Sequence, residues 1–178
     1  MRQTIKRIIK EVTDEKKDKI FNLAKTQGWA RTFELVGGVN NFLNMFYDGD
    51  IIKFSEDTHT PLAYISVDEM RFYIHEALVE KLGLKDVKTF YNRREKELGD
   101  FRFGAKNGIQ YKFTATLIPT TINDQPYYKV AGYSGDSGFG YSFINKRNTL
   151  GKRYRKQIFK QIIDKYSLEP YMKLKTFY

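Results

Sequence analysis

The residues of this sequence that are best placed to do chemistry are cations close to its C-terminal end. A helix over residues 148–166, at about 100° per residue, carries an apolar row on one side and basic side chains on the other. The basic set comprises Lys152, Arg153, Lys156 and Lys160, and Lys146 and Arg147 extend it upstream. Such an array can neutralise phosphates and release their counterions, which gives affinity without strong sequence preference. We therefore predict nucleic-acid binding through these six residues, with an ordinary solvated helix face as the competing interpretation.

The overall charge agrees with a polyanionic partner. The chain has 178 residues, with 31 Lys and Arg against 21 Asp and Glu, and its net charge is +10. This balance favours a nucleic acid, DNA more than RNA, or an acidic protein surface as the partner, although basicity can also serve solubility alone. No stretch reaches the roughly 18 apolar residues of a membrane span, so no membrane partner is expected.

The motifs of the common enzyme classes are missing or incomplete. The sequence has no cysteine, which excludes disulfides, thiolate nucleophiles and cysteine-ligated zinc. Residues 135–138 read Gly-Asp-Ser-Gly, as around a serine-protease nucleophile, but His59 and His75 stand in no matching pattern, so we interpret the segment as a glycine-rich hairpin loop. No glycine-rich phosphate-binding or dinucleotide-binding motif is present. We predict a non-enzymatic protein without a cofactor or metal.

Two alternatives from other classes remain open. Asp68 and Glu69, with His75 and Glu76 nearby in sequence, are the best candidates for a metal-dependent nuclease or phosphoesterase. The other alternative is a protein-interaction module, such as a host-takeover factor whose basic face meets an acidic protein. Residues 21–38 also match helix-turn-helix spacing loosely, with Gly28 at the turn, but a plain helical hairpin explains them better.

The elements that must position the basic residues follow from the change in hydrophobic period along the chain. Apolar residues at helical spacing predict helices over 4–12, from Thr13 to about Thr26, and over 29–36 and 39–46. A further helix is predicted over 77–82, closed by Gly83. A period of two predicts strands over 51–54, 62–65, 71–74, 101–103, 109–118, 127–133 and 139–144.

These elements predict an α+β fold: an N-terminal helical unit, an antiparallel β-sheet, and a C-terminal amphipathic basic helix packed on the sheet. We divide the chain into a leader or first helix at 1–12, a helical unit at 13–48 and an α+β domain at 49–178, which together make one compact domain. A turn at residues 123–126 joins two strands, and residues 171–178 either add an edge strand or fray.

The first eleven residues resemble the short leader of many proteins of T-even-like tailed phages and their marine relatives. In those families a small amphipathic leader directs a protein into the assembling head, and a phage protease cuts after a Leu/Ile-x-Glu tripeptide. The matching residues are Ile9-Lys10-Glu11, so the resemblance implies cleavage after Glu11. Residues 35–43 and 138–154 are also similar to uncharacterised proteins of such phages.

The resemblance implies a virion- or DNA-associated protein that is made in the host cytoplasm and packaged in the virion, with phage head components as partners. It carries over no activity.

Overall fold

A computed structural model describes residues 2–90, 93–104, 108, 110–133 and 152–172 of the chain. Within these ranges the chain forms seven helices and one six-stranded antiparallel sheet, which confirms the α+β class. The elements in chain order are α1 (Arg2–Gln27), α2 (Trp29–Leu35), α3 (Val39–Tyr47), α4 (Ile51–Thr58), β1 (Ala63–Ser66), β2 (Arg71–His75), α5 (Glu76–Leu82), β3 (Asp86–Phe90), β4 (Arg93–Gly104), β5 (Gln110–Ile122), β6 (Gln125–Tyr133), α6 (Lys152–Lys165) and α7 (Glu169–Met172).

The sheet has the strand order β1-β2-β6-β5-β4-β3, and every neighbouring pair is antiparallel. Strands β3 to β6 form a meander, and β6 returns to pair with β2. The predicted turn between β5 and β6 is confirmed at Asn123 and Asp124, which both have positive φ values, of 48° and 65°. Two successive residues with positive φ form a type I′ turn, whose twist matches that of the two strands it joins.

The hydrophobic core lies between the sheet and the helices. The fully buried rings of Phe72 on β2 and Phe159 on α6 meet edge to face, with centroids 5.4 Å apart, so the C-terminal helix packs on the sheet as predicted. A second group of rings lies inside the N-terminal helices, where Phe42 contacts Trp29, Phe33 and Phe54 at centroid distances of 5.5, 5.2 and 5.9 Å. Helix α5 connects the two regions because it packs against α3 in the N-terminal unit and against β2 and β6 in the sheet.

Gly28 allows the N-terminal helices to approach the β5–β6 turn. Its φ is +90°, and a Cβ atom built on it would lie 2.5 Å from a carboxylate oxygen of Asp124. The same carboxylate accepts a hydrogen bond from the main-chain N–H of Trp29. A larger residue at position 28 would therefore separate α2 from the turn.

The prediction that a second helix begins at Thr13 was wrong, because α1 (Arg2–Gln27) continues through this position without a break. The polar run at 13–19 consists largely of lysine and acidic residues, and Lys and Glu are good helix formers. Glu15 and Lys19 have the i, i+4 spacing of a favourable pair, and Asp14, Glu15 and Lys16 are exposed. The run is therefore a solvated stretch of one helix.

The prediction of a strand over 51–54 was also wrong, since these residues begin α4. Asp50 caps this helix: its side chain accepts hydrogen bonds from the N–H groups of Ile52 and Lys53, both at 3.1 Å. Strand β3 was not predicted. At the C-terminal end Tyr171 and Met172 belong to α7. The predicted strand at 139–144, the loop at 135–138 and residues 173–178 lie outside the described residues.

Candidate nucleic-acid interface

Helix α6 has an apolar face that fixes it to the sheet. Ile158, Phe159 and Ile162 are each at most 1 % exposed, and each contributes about 1.5–3 kcal/mol through the apolar surface it removes from water. Nearer the start of the helix, the Tyr154 ring contacts that of Phe103 on β4, with centroids 5.3 Å apart. This face sets which side chains of α6 can point outward.

Two glutamines bind α6 to the main chain of β4. Gln157 accepts a hydrogen bond from the N–H of Gly104 at 3.1 Å and donates to its carbonyl oxygen at 3.5 Å. Gln161 does the same at Arg102, at 3.4 and 2.5 Å. Four residues of helix rise about 6.0 Å and two residues of strand about 6.7 Å, so the two spacings match. Within the described residues, β3 does not pair with β4 over residues 102–104. The glutamine amides therefore take the place of a neighbouring strand along this stretch of β4.

The four described cations of the predicted set lie on the outward side of α6. Lys152, Arg153, Lys156 and Lys160 are all exposed. Lys152 Nζ also donates a 2.6 Å hydrogen bond to the carbonyl oxygen of Asp68, in the β1–β2 connection. Lys146 and Arg147 lie outside the described residues. The structure therefore presents four cations from one helix that is held on its other side.

Arg155 belongs to the buried side of the same helix, as the helical wheel indicates. Only 9 % of it is exposed, and its Nη1 donates to the carbonyl oxygens of Glu69 and Met70 at 2.8 and 3.0 Å. Burial, and then the charge of Arg71, lower the pKa of Arg155. Arg71 in turn pairs with the Glu69 carboxylate at 3.1 Å. Arg155 therefore joins α6 to the β1–β2 connection.

The residues of the nuclease alternative are not brought together. Asp68 and Glu69 precede β2, whereas His75 is its last residue. His75 is fully buried, its Nδ1 accepts from the N–H of Ala77 at 3.1 Å, and its Nε2 lies 2.9 Å from Gln125 Oε1. Burial lowers the pKa of His75 to about 4, against an ordinary value of 6.5, although the bond to Gln125 opposes the shift. Among the described residues, no group of three or more potential ligands could hold a metal ion.

Residues 21–38, which loosely match helix-turn-helix spacing, form a plain helical hairpin. One residue, Gly28, separates α1 from α2, whereas the DNA-binding motif has a turn of about 3–4 residues. Arg31, the only base on α2, pairs with Glu34 at 3.2 Å. The second helix therefore offers little to a phosphate backbone.

Sequence reasoning found the cations of α6 but missed the roles of Gln157 and Gln161. Their i, i+4 spacing is visible in the sequence, yet the strand that they satisfy lies 53 and 59 residues away. Glu11 lies within α1, and cleavage after it stays a prediction.

Comparison of the chain with protein-family models, with curated proteins and with solved structures finds no match. Among the described helices, none is long and apolar enough to cross a membrane.

Proposed function

We propose that this protein binds nucleic acid, without strong sequence preference, through the cationic face of α6. The observation that carries the proposal is the exposure of Lys152, Arg153, Lys156 and Lys160 on a helix whose opposite side is buried. In keeping with the resemblance of its first eleven residues, we propose DNA in a tailed phage, in the virion or the host cytoplasm, as the setting.

The spacing of the cations supports contact with a phosphate backbone. Lys152, Lys156 and Lys160 form an i, i+4 row with a step of about 6 Å. Successive phosphates on one strand of B-DNA rise about 3.4 Å and also rotate about the helix axis, which places neighbours about 7 Å apart, so the step of the row is close to the spacing of successive phosphates. The bonds from Gln157 and Gln161 to β4 hold the row in place, which reduces the ordering cost of binding.

Counterion release makes the affinity for DNA dependent on salt. Each phosphate neutralised on B-DNA contributes about −0.9 to the slope of log K against log salt, so four contacts give a slope of about −3.6. Fluorescence anisotropy with labelled double-stranded DNA of arbitrary sequence measures this slope directly.

The decisive variant is K152E/R153E/K156E/K160E. It changes the net charge by −8, from +10 to +2, and we expect it to lose at least 100-fold in DNA affinity. The matched control is K16E/K19E/K25E/K81E, which makes the same charge change at four exposed lysines on α1 and α5. The control should retain most of the affinity and the steep salt slope.

Equal losses in both variants would mean that net charge alone attracts DNA, and unchanged affinity in the α6 variant would exclude this face. An acidic protein as the true partner would give weak DNA binding at low salt. The complex between this protein and that acidic partner would also resist competition by unlabelled DNA.

A further inference from the structure

A cavity lies where four elements of the molecule meet, away from α6. It has a volume of about 170 Å³ and is bounded by the start of α2, the end of α4, the start of β1 and the β5–β6 turn. Three aromatic residues, Trp29, Tyr64 and Tyr127, line it together with polar groups that include Thr60 and Gln125. Five of the ten lining residues are polar, so the cavity combines aromatic surface with hydrogen-bonding groups, both of which occur in ligand sites.

The orientation of the Gln125 amide follows from the hydrogen bonds of His75. Because the N–H of Ala77 donates to Nδ1 of His75, that nitrogen is the unprotonated one, and the ring proton is on Nε2. Nε2 therefore donates to Gln125, which fixes Oε1 toward the histidine at 2.9 Å. The Gln125 amide nitrogen must then point the other way.

That amide nitrogen is an unused donor. Gln125 is 5 % exposed and lines the cavity, and no described residue accepts a hydrogen bond from its Nε2. Because this nitrogen is open to the cavity rather than sealed in the core, a ligand that supplies an acceptor atom can replace solvent as its partner. The cavity is thus built to receive a hydrogen-bond acceptor.

Size and charge narrow the class of ligand. The volume is well below the roughly 300 Å³ of the smallest drug-sized sites, so the cavity holds about one ring system. Asp124, which stands between the lining residues Asn123 and Gln125, places a carboxylate at this turn and disfavours an anion. A small, uncharged ring with an acceptor atom matches a cavity of this size that is lined by aromatic residues and by the Gln125 amide.

We propose that this cavity binds one nucleobase through an acceptor atom on its ring, with Gln125 as the donor. The inference deepens the proposed nucleic-acid function, because a base of a single-stranded segment would occupy the cavity while phosphates meet α6. The two surfaces lie toward opposite ends of the β1–β2 hairpin: α6 meets the connection at Asp68–Met70, and the cavity lies beside Tyr64 and Gln125. Strand β2 between them has five residues and spans about 15 Å.

The experiment uses uridine and cytidine, which carry no phosphate and so do not depend on α6. Trp29 is the single tryptophan of the chain and lines the cavity, so its fluorescence reports occupancy. We expect a saturable change with a Kd on the order of 1 mM. Gln125→Glu replaces the donor with a second acceptor and should weaken binding at least tenfold.

Glu97→Gln is the matched control, because it makes the reverse exchange of amide and carboxylate at an exposed position on β4. It should leave the Kd unchanged. If Gln125→Glu does not fold, Gln125→Met removes the donor without adding charge, and the same loss is expected.

The absence of a saturable response to either nucleoside would overturn the proposal, and so would an equal Kd in wild type and in the folded Gln125 variant. A response to N-methylacetamide but not to uridine would also overturn it, since it assigns the cavity to a peptide amide. Loss of DNA binding in the α6 variant with uridine binding intact would separate the two sites.

Discussion

At the scale of single residues, His75 makes the stability of the protein sensitive to acid. Its pKa is lowered to about 4 in the folded chain, against 6.5 without burial. Between these two pH values the unfolded state binds more protons than the folded state. The free energy of unfolding is therefore highest above about pH 6.5, as far as His75 is concerned, and falls as the pH drops toward 4. A difference of about 2.5 pKa units corresponds to a loss on the order of 3 kcal/mol. Urea unfolding at several pH values measures this loss.

The control for this prediction is His75→Asn. Asparagine is a good N-cap residue, so its side-chain oxygen can still accept from the N–H of Ala77 at the start of α5. The variant should be less stable at neutral pH, because it loses the bond to Gln125, but its stability should change less between pH 6.5 and 4. A slope equal to that of wild type in this range would mean that carboxyl groups, and not His75, cause the acid sensitivity.

At the scale of elements, α6 protects a stretch of β4 that would otherwise be an open sheet edge. Replacing both glutamines, Q157A/Q161A, removes the four hydrogen bonds to Gly104 and Arg102. At about 0.5–1.5 kcal/mol for each bond, we expect a loss of about 2–6 kcal/mol in the free energy of unfolding. The freed main-chain groups should also promote association, which light scattering detects as a function of protein concentration.

The variant K156A/K160A is the natural comparison, because it truncates the neighbouring exposed residues of the same helix. It should change the free energy of unfolding by no more than about 0.5 kcal/mol. A similar loss in both double variants would mean that alanine at these positions weakens α6 in some other way.

Elements with a clear period were predictable, whereas the short apolar run at 51–54 was not. The alternation of residues in β5 and the wheel of α6 each indicated the right structure. The run Ile51-Ile52-Lys53-Phe54 fits a strand and a helix equally well, and only Asp50, a good N-cap residue, favoured the helix that forms.

The cationic face of α6 and the cavity also differ in how far the sequence predicts them. The cations of α6 are neighbours in sequence, so a helical wheel brings them together. The cavity depends on Trp29 meeting Asp124 and on His75 meeting Gln125, which are 95 and 50 residues apart. No local pattern signals such contacts, since Trp29 meets Asp124 only when the helical unit packs against the sheet, and His75 meets Gln125 only when β2 pairs with β6.

At the scale of the whole molecule, one salt titration should give three different responses. With a net charge of +10, the folded chain repels itself, so raising the salt from about 10 to about 150 mM, which shortens the Debye length from about 30 to about 8 Å, should raise the melting temperature. The same change should weaken DNA binding at α6, because releasing each counterion into a more concentrated salt solution gains less entropy. Uridine binding in the cavity should hardly change, since the ligand is uncharged. A fall of all three together would instead indicate that salt destabilises the fold.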